Sequence, residues 1–508
     1  MPARTSTVPV VPTPLAQVEL SDLNRRGALR AAITRPAPED GEQQGVCLGP
    51  GAAELLGDAE TPELTGKAGE LHPVSTTGAR AWLVGVGAGR PVDWRTAGAA
   101  LARAADEALG ASGATAAQRA VELNLPEDID VAELESVVLG LLLGGYRFRV
   151  TGQADKPRVR TIRLRVPGAS AGLRAAVQRA CVLAAASALT RDLANMPSDV
   201  KTPAWLADTA VKAGSAVPGL AVTVRDEQWL AEHAFGGVLA VGGGSSRPPR
   251  LIELAWRPRG AKGPHLVLVG KGITFDTGGI SLKRAPGMHL MRTDMAGGGA
   301  VIAALRAIAE LRLPIRVTGL VPAAENHLSG SAYRPGDVIR HYGGRTTEAT
   351  NTDAEGRIVL ADGLAYAVRQ HKADLLVDVA TLTGAMKVSL GLRTGGLFAS
   401  TDDLAERVLN AGVEVGEAWW RMPLLESAEA EIESDLADVR QIGSTSHPGA
   451  VHAALFLRGF TAGLPWAHLD IAGPARAESA YAEVTQGASG FAARTLVALA
   501  ESLVEQAR

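Results

Sequence analysis

Residues 351–367 read NTDAEGRIVLADGLAYA, with Asp353, Glu355 and Arg357 crowded into five positions ahead of an apolar run. The run IVLADGLAYA, extended by VRQH, predicts a helix that opens close to these charges. Two acids and a base on one turn are, taken alone, an ordinary solvated helix start. The other reading is that something cationic is held there.

Outward from this helix the chain alternates strands and helices. LAVTVRD, RLIELAW, HLVLVG, IRVTGLVPA, ADLLVDVA and WAHLDIAG read as strands covered on both faces, and MAGGGAVIAALRAIAEL as a second helix. This alternation predicts an α/β fold. The first 170 residues keep the same rhythm more weakly, with GVCLGP, AWLVGVGAG, AVELNLP and YRFRV as short strands between Ala-rich helical stretches. A chain of 508 residues, 46% hydrophobic, suits two domains. The polar, basic segment GQADKPRVRTIRLRVPGAS, 152–170, is bounded by Pro and Gly and marks an edge. The expected division is an N-terminal α/β domain over 1–170, a connecting helix over 171–194 and a larger α/β domain over 195–508.

The charge balance, 51 Lys+Arg against 54 Asp+Glu, proposes neither nucleic acid nor an anionic membrane as main partner. Cys47 and Cys181 lie far apart and outside any CxxC pattern, which argues against a disulfide framework or a thiolate zinc site and fits a reducing cytoplasm. The start lacks an apolar signal core, and no 18-residue apolar run follows, so a soluble, cytoplasmic protein is expected. GGVLAVGGGSS and AGGGAV lack the frame of a phosphate-binding loop, and their glycines read as close backbone approaches. PRVRTIRLRV reads first as the open face of a strand.

VGKGITFDTGGISLK puts Lys271 just beyond the strand HLVLV, Asp276 five residues later and Lys283 seven after that. MRTDMAGGGA adds Asp294 directly before a helix. With Asp353 and Glu355, four carboxylates fall at strand-to-helix junctions, where open α/β sheets gather ligands. Buried together they would repel unless protons or cations neutralised them, and two divalent ions would do so. Carboxylate oxygens without Cys or an HExxH helix suit Zn, Mn or Mg. Lys271 ligates only when deprotonated, a state that burial beside dications favours. Each acid alone reads as a cap or a surface charge; the set, with its glycines and two lysines, weakens that reading.

These motifs resemble the leucyl aminopeptidase, or cytosol aminopeptidase, family of hexameric dinuclear metallopeptidases. NTDAEGR stands intact, and RPGDVIRHYGGRT, DVATLTGAM and WAHLDIAG are also similar, over about residues 175–490. The resemblance implies two divalent metal ions per subunit, Mn or Zn, bridged by Asp276 and Glu355. Lys271 and Asp294 would complete one site and Asp353 the other. Lys283 and Arg357 would be catalytic, with a bicarbonate at Arg357; without the family, Arg357 reads as paired with Glu355 or a helix-end carbonyl. Met291, Thr381, Gly384 and the Leu382 backbone would meet the substrate. The implied activity is removal of the N-terminal residue from peptides by a metal-activated water, with broad preference for uncharged residues such as Leu, because a methylene is worth only about 1–3 kcal/mol. The implied architecture is a homohexamer of chains with a smaller macro-domain-like N-terminal domain and a catalytic domain built on a mixed central sheet.

One segment departs from the family. Where relatives carry GGRxGGAxTAAxFL, residues 442–457 read IGSTSHPGAVHAALFL. His447 is expected in a loop and His452 on a helix surface, both outside a metal shell that is already full. A non-catalytic or moonlighting DNA-binding, regulatory protein on the same fold is the rival reading. A dinuclear phosphoesterase is disfavoured by the lack of ligand histidines.

Overall fold

The computed structural model describes residues 11–21, 28–37, 46–57, 63–75, 80–110, 119–150, 158–444 and 448–506. Packing divides the chain into two units, Met1–Ala188 with Glu478–Gln486, and Leu189–Ala477 with Gly487–Arg508. No disulfide joins Cys47 and Cys181. Among the described residues no helix is long and apolar enough to cross a membrane.

The first unit is built on a sheet ordered Gln17–Leu20, Thr161–Arg165, Ala120–Asn124, Leu29–Pro36, Arg80–Gly85, Leu71–Ser75, with Val46–Leu48 paired to Leu29–Pro36. Ile162 and Leu164 are buried while Thr161, Arg163 and Arg165 are only partly so, the alternation expected of a basic-faced strand. Tyr146–Val150, read as a strand, forms none. Helix Val131–Gly144 ends immediately before it; Tyr146 is buried there and Arg147 pairs with Asp106 at 3.1 Å, so packing rather than a ladder satisfies the segment.

The second unit carries a nine-stranded sheet. Its path runs Ala418–Arg421, Thr394–Ala399, Trp466–Asp470, Leu375–Ala380, Leu266–Gly270, Val317–Asn326, Arg250–Trp256, Leu220–Arg225, with Gly272–Asp276 also paired to Val317–Asn326. The centre is parallel, and Arg250–Trp256 and Leu220–Arg225 add antiparallel pairs, so the sheet is mixed and the fold α/β. Leu266–Gly270, Leu375–Ala380 and Trp466–Asp470 are buried at every position. Leu220–Arg225 corrects the two-faced expectation: it is an edge strand, and Val224 is exposed. An edge strand has one neighbour and leaves alternate residues to solvent.

Helices Ala296–Glu310 and Glu355–Tyr366 follow the expected strands. The second is anchored about two turns in by Asp362, which accepts from Val238 N at 2.9 Å and Tyr342 N at 3.0 Å and pairs with His341 Nδ1 at 2.9 Å. A fully buried carboxylate with three such partners fixes how far the helix start reaches over the sheet.

Candidate metal centre

The parallel strands end together. Gly270 pairs with Val379, Asp276 with Asn326 and Ala380 with Asp470. Lys271, Asp276, Asn326, Thr381 and Asp470 therefore reach one edge of the sheet, and the start of helix Glu355–Tyr366 brings Glu355 and Arg357 to it. Glu355 is 1% exposed and Arg357 6%, so the NTDAEGR turn is no solvated helix end.

One oxygen from each of Asp276, Asp353 and Glu355 falls within 4.8 Å of the others. Lys271 Nζ lies 2.8 Å from Glu355 Oε1 and 2.9 Å from Asp294 Oδ1, and donates to the Thr381 carbonyl at 3.0 Å. Lys283 Nζ lies 2.8 Å from Asp276 Oδ2 and also contacts Asp353 Oδ1. Six of the seven predicted metal and catalytic residues are thus linked, Asp294 through Lys271, and Arg357 stands two residues beyond Glu355 on the same helix. Gly356 permits this: a methyl there would sit 2.6 Å from Lys271 Cε.

The acids pay electrostatically for their company. Burial, then the charge of Asp276, pushes the Glu355 carboxyl up to about 8 against the opposing pull of Lys271. Burial pushes Asp294 up to about 6 although Lys271 opposes it. Burial also raises Asp353, with Lys283 opposing. For Lys271 and Lys283 burial favours the neutral amine, but the surrounding carboxylates outweigh it and raise both. Glu355 Oε2 is buried with no hydrogen-bond partner. Converging oxygens, held together against repulsion and with an acceptor left over, fit a hard divalent cation.

Arg357 Nη1 donates to the Gln441 carbonyl at 2.7 Å, while its Nε is buried without a partner. Burial lowers the guanidinium to about 10, opposed by Glu355 and Asp470. Its partner is a loop carbonyl, neither Glu355 nor a helix end. Thr381 Oγ1 donates to Asp294 Oδ1 at 2.7 Å. Met291 sits three residues before Asp294 on the short 3₁₀ helix Met288–Thr293. The Leu382 amide is taken by Asp470 Oδ1 at 3.2 Å, and Gly384 opens helix Gly384–Leu390 in an exposed position.

Several supporting residues escape sequence reasoning. Asn326 Nδ2 donates to Asp276 Oδ1 at 2.8 Å and to the Thr352 carbonyl at 2.9 Å. Gln441 Oε1 accepts from Thr350 N and Asn351 N, and its Nε2 donates to the Ala354 carbonyl, stapling the turn. Asp470 takes the Thr383 amide and hydroxyl. Asn326 and Asp470 had a signal, a polar residue ending an apolar strand; Gln441 had none. His447 lies outside the described residues. His452 corrects its expectation: its ring is fully buried, with Nε2 3.1 Å from Glu431 Oε2 and the Gly443 backbone pressed against it. Helix Gly449–Arg458 turns that face inward, along with Val451 and Leu455.

A model of the cytosol aminopeptidase family, catalytic domain, matches residues 188–497. The probable cytosol aminopeptidase of Micrococcus luteus is 43% identical over 470 residues, 88% of this chain and 89% of that protein. Its counterpart in Leifsonia xyli is 45% identical over 395 residues, 75% and 78% of the two chains. Among solved structures, the bottromycin maturation enzyme BotP in complex with Mn is similar with a TM-score of 0.81 at 37% identity, covering 94% of this chain and all 100% of that one. A tomato leucine aminopeptidase mutant gives a TM-score of 0.84 at 29% identity, covering 97% and 98%.

Proposed function

Because this chain belongs to the cytosol aminopeptidase family and is a metal-dependent aminopeptidase acting on peptides, we propose that it works with two divalent ions, Mn or Zn, held by Lys271, Asp276, Asp294, Asp353 and Glu355. The observation that carries this reading is the approach of Asp276, Asp353 and Glu355 oxygens to within 4.8 Å of one another. Bound there, such ions would supply a Lewis acid and a water whose pKa falls from 15.7 towards about 7.

The chain's own residues would do the rest. Lys283, with a side chain 22% exposed at the rim of the acids, offers its ammonium to the negative charge that grows on the scissile carbonyl oxygen. Asp294 receives the free α-amine of the substrate, which restricts cleavage to chain termini. Arg357 has a planar fork and a buried Nε to spare, and we assign it a bicarbonate that moves protons where no side-chain base stands. Met291, Thr381 and Gly384 line the pocket for the first side chain, and Leu382 orients the substrate backbone. Broad acceptance of uncharged residues, Leu among them, a homohexameric assembly and a cytoplasmic setting complete the proposal.

The test is an activity profile over aminoacyl anilides with bound metals quantified in the same sample. Turnover should rise with metal content, vanish on chelation and return with Mn or Zn. Full activity in chelated, metal-free protein would end the two-ion reading.

A further inference from the structure

Lys201 takes no part in the metal centre, yet its side chain is fully buried. It stands between helix Ala171–Asn195 and helix Pro203–Ser215 and folds back beneath the chain. Its Nζ donates to the Leu193 carbonyl at 3.0 Å, the Ala194 carbonyl at 3.2 Å and, in a short contact, the Arg292 carbonyl.

The first two acceptors belong to the last turn of helix Ala171–Asn195, whose carbonyls lack helical partners and form the negative end of the helix dipole. The third comes from the 3₁₀ helix Met288–Thr293, two residues before Asp294. Burial and the Arg292 charge lower the proton affinity of Lys201 and Asp294 opposes them. Three acceptors on one nitrogen nevertheless need three N–H donors, which only the ammonium has, so the geometry decides for the charged form.

We propose that Lys201 is a positioning residue for the metal centre. It clamps the Met288–Thr293 turn to the end of the preceding long helix, and so fixes Asp294 and Met291 relative to Lys271 and Thr381. The proposal rests on the reading of Asp294 as a ligand. Lys271 and Thr381 hold Asp294 itself from the sheet edge, while its amide bonds back to Met291 O at 3.1 Å within the turn; Lys201 adds a separate tether, through the Arg292 carbonyl, to the turn's own backbone. Without the ammonium, the buried Leu193 and Ala194 carbonyls and the part-buried Arg292 carbonyl converge with nothing between them, and their repulsion falls on the turn that bears Asp294.

The test compares wild type with Lys201→Met, which keeps an unbranched chain one atom shorter and loses the donors, and Lys201→Gln, which keeps two. Val408→Ala, a fully buried core position on helix Asp402–Val415, serves as the control for general destabilisation. Half-saturating Mn²⁺ and the KM and kcat for a leucine anilide are read at a temperature where each protein is folded by circular dichroism. Lys201→Met should raise half-saturating Mn²⁺ by about 10–100-fold, the range for lost supporting contacts around metal ligands, and Lys201→Gln by less. Val408→Ala should leave it unchanged at a comparable loss of melting temperature. Where Lys201→Met does not fold, Lys201→Gln carries the comparison alone. Wild-type Mn²⁺ dependence in whichever Lys201 variants fold overturns the positioning role. A wild type that needs no metal would instead overturn the ligand reading beneath it.

Discussion

Lys271 Nζ lies 2.8 Å from Glu355 Oε1, inside a volume where the two side chains are 4% and 1% exposed. The pair joins a strand end to a helix start and leaves Glu355 Oε2 over as an unshared acceptor. Replacing Lys271 by Met strips Glu355 and Asp294 of their common cation. Removing one partner of a buried pair costs about 3–5 kcal/mol when the other stays charged. In metal-free protein the loss should be largest near pH 9 and smaller near pH 6, where Glu355, at about 8, takes a proton instead. Denaturant unfolding at both pH values checks this, and equal losses would contradict the pairing.

Lys283 stands at the rim, against Asp276 and Asp353. A group that meets charge developing in the transition state affects kcat more than KM. Lys283→Met should lower kcat on a leucine anilide by about 10²–10³-fold, the usual loss of one oxyanion donor, with KM changed little. Lys283→Arg should recover only part of it, since a fork replaces a point charge. A loss confined to KM would recast Lys283 as a ground-state contact.

Arg357 spends Nη1 on the Gln441 carbonyl and keeps a buried Nε. If its remaining donors hold bicarbonate, wild-type turnover after bicarbonate depletion should rise on adding it back, whereas Arg357→Lys should not respond. The variant should be slower by about 10²-fold, the lower end for losing a proton-transfer group. Equal bicarbonate responses in the two proteins would remove that ion from the scheme.

These expectations rest on what the sequence displays, and its legibility was uneven. Lys271, Asp276, Asp294, Asp353 and Glu355 could be read because polar residues ending apolar strands or opening helices are visible one segment at a time. Gln441, 86 residues from Glu355, could not, because its service to Thr350, Asn351 and Ala354 exists only after the fold closes. The same holds for Lys201, which in sequence is one more charge in a polar loop. Tyr146–Val150 misled because five alternating residues fit a strand, while the end of a buried helix had already claimed Tyr146. His452 misled for a related reason: a polar ring beside Ala and Leu suggests an outer face until Glu431 supplies a partner.

The pH dependence of metal binding follows from the two carboxyls raised most clearly. Glu355 stands at about 8 and Asp294 at about 6, both above their ordinary values of 4.5 and 3.8. A carboxyl raised by folding favours the folded state while protonated, and that favour is lost as pH climbs through the folded value. Metal-free protein should therefore lose stability between about pH 4 and pH 8 from these groups, and bound ions should restore it. The rise in melting temperature on adding Mn²⁺ should accordingly grow from acid towards pH 8.5. Ligands must also shed their protons. Around neutral pH the raised Glu355 and the raised Lys271 both have protons to give up, and towards acid pH Asp294 has one as well. Calorimetric Mn²⁺ titrations in buffers of different ionisation enthalpy count these protons directly. Lys271→Met should release about one fewer near pH 5.5, where Glu355 and Asp294 are already largely protonated; near pH 7 the difference shrinks, because removing the ammonium that opposes their rise leaves both carboxyls more protonated. A count near pH 5.5 that does not change between wild type and this variant would mean that Lys271 keeps its proton and is a neighbour of the ions, not a ligand.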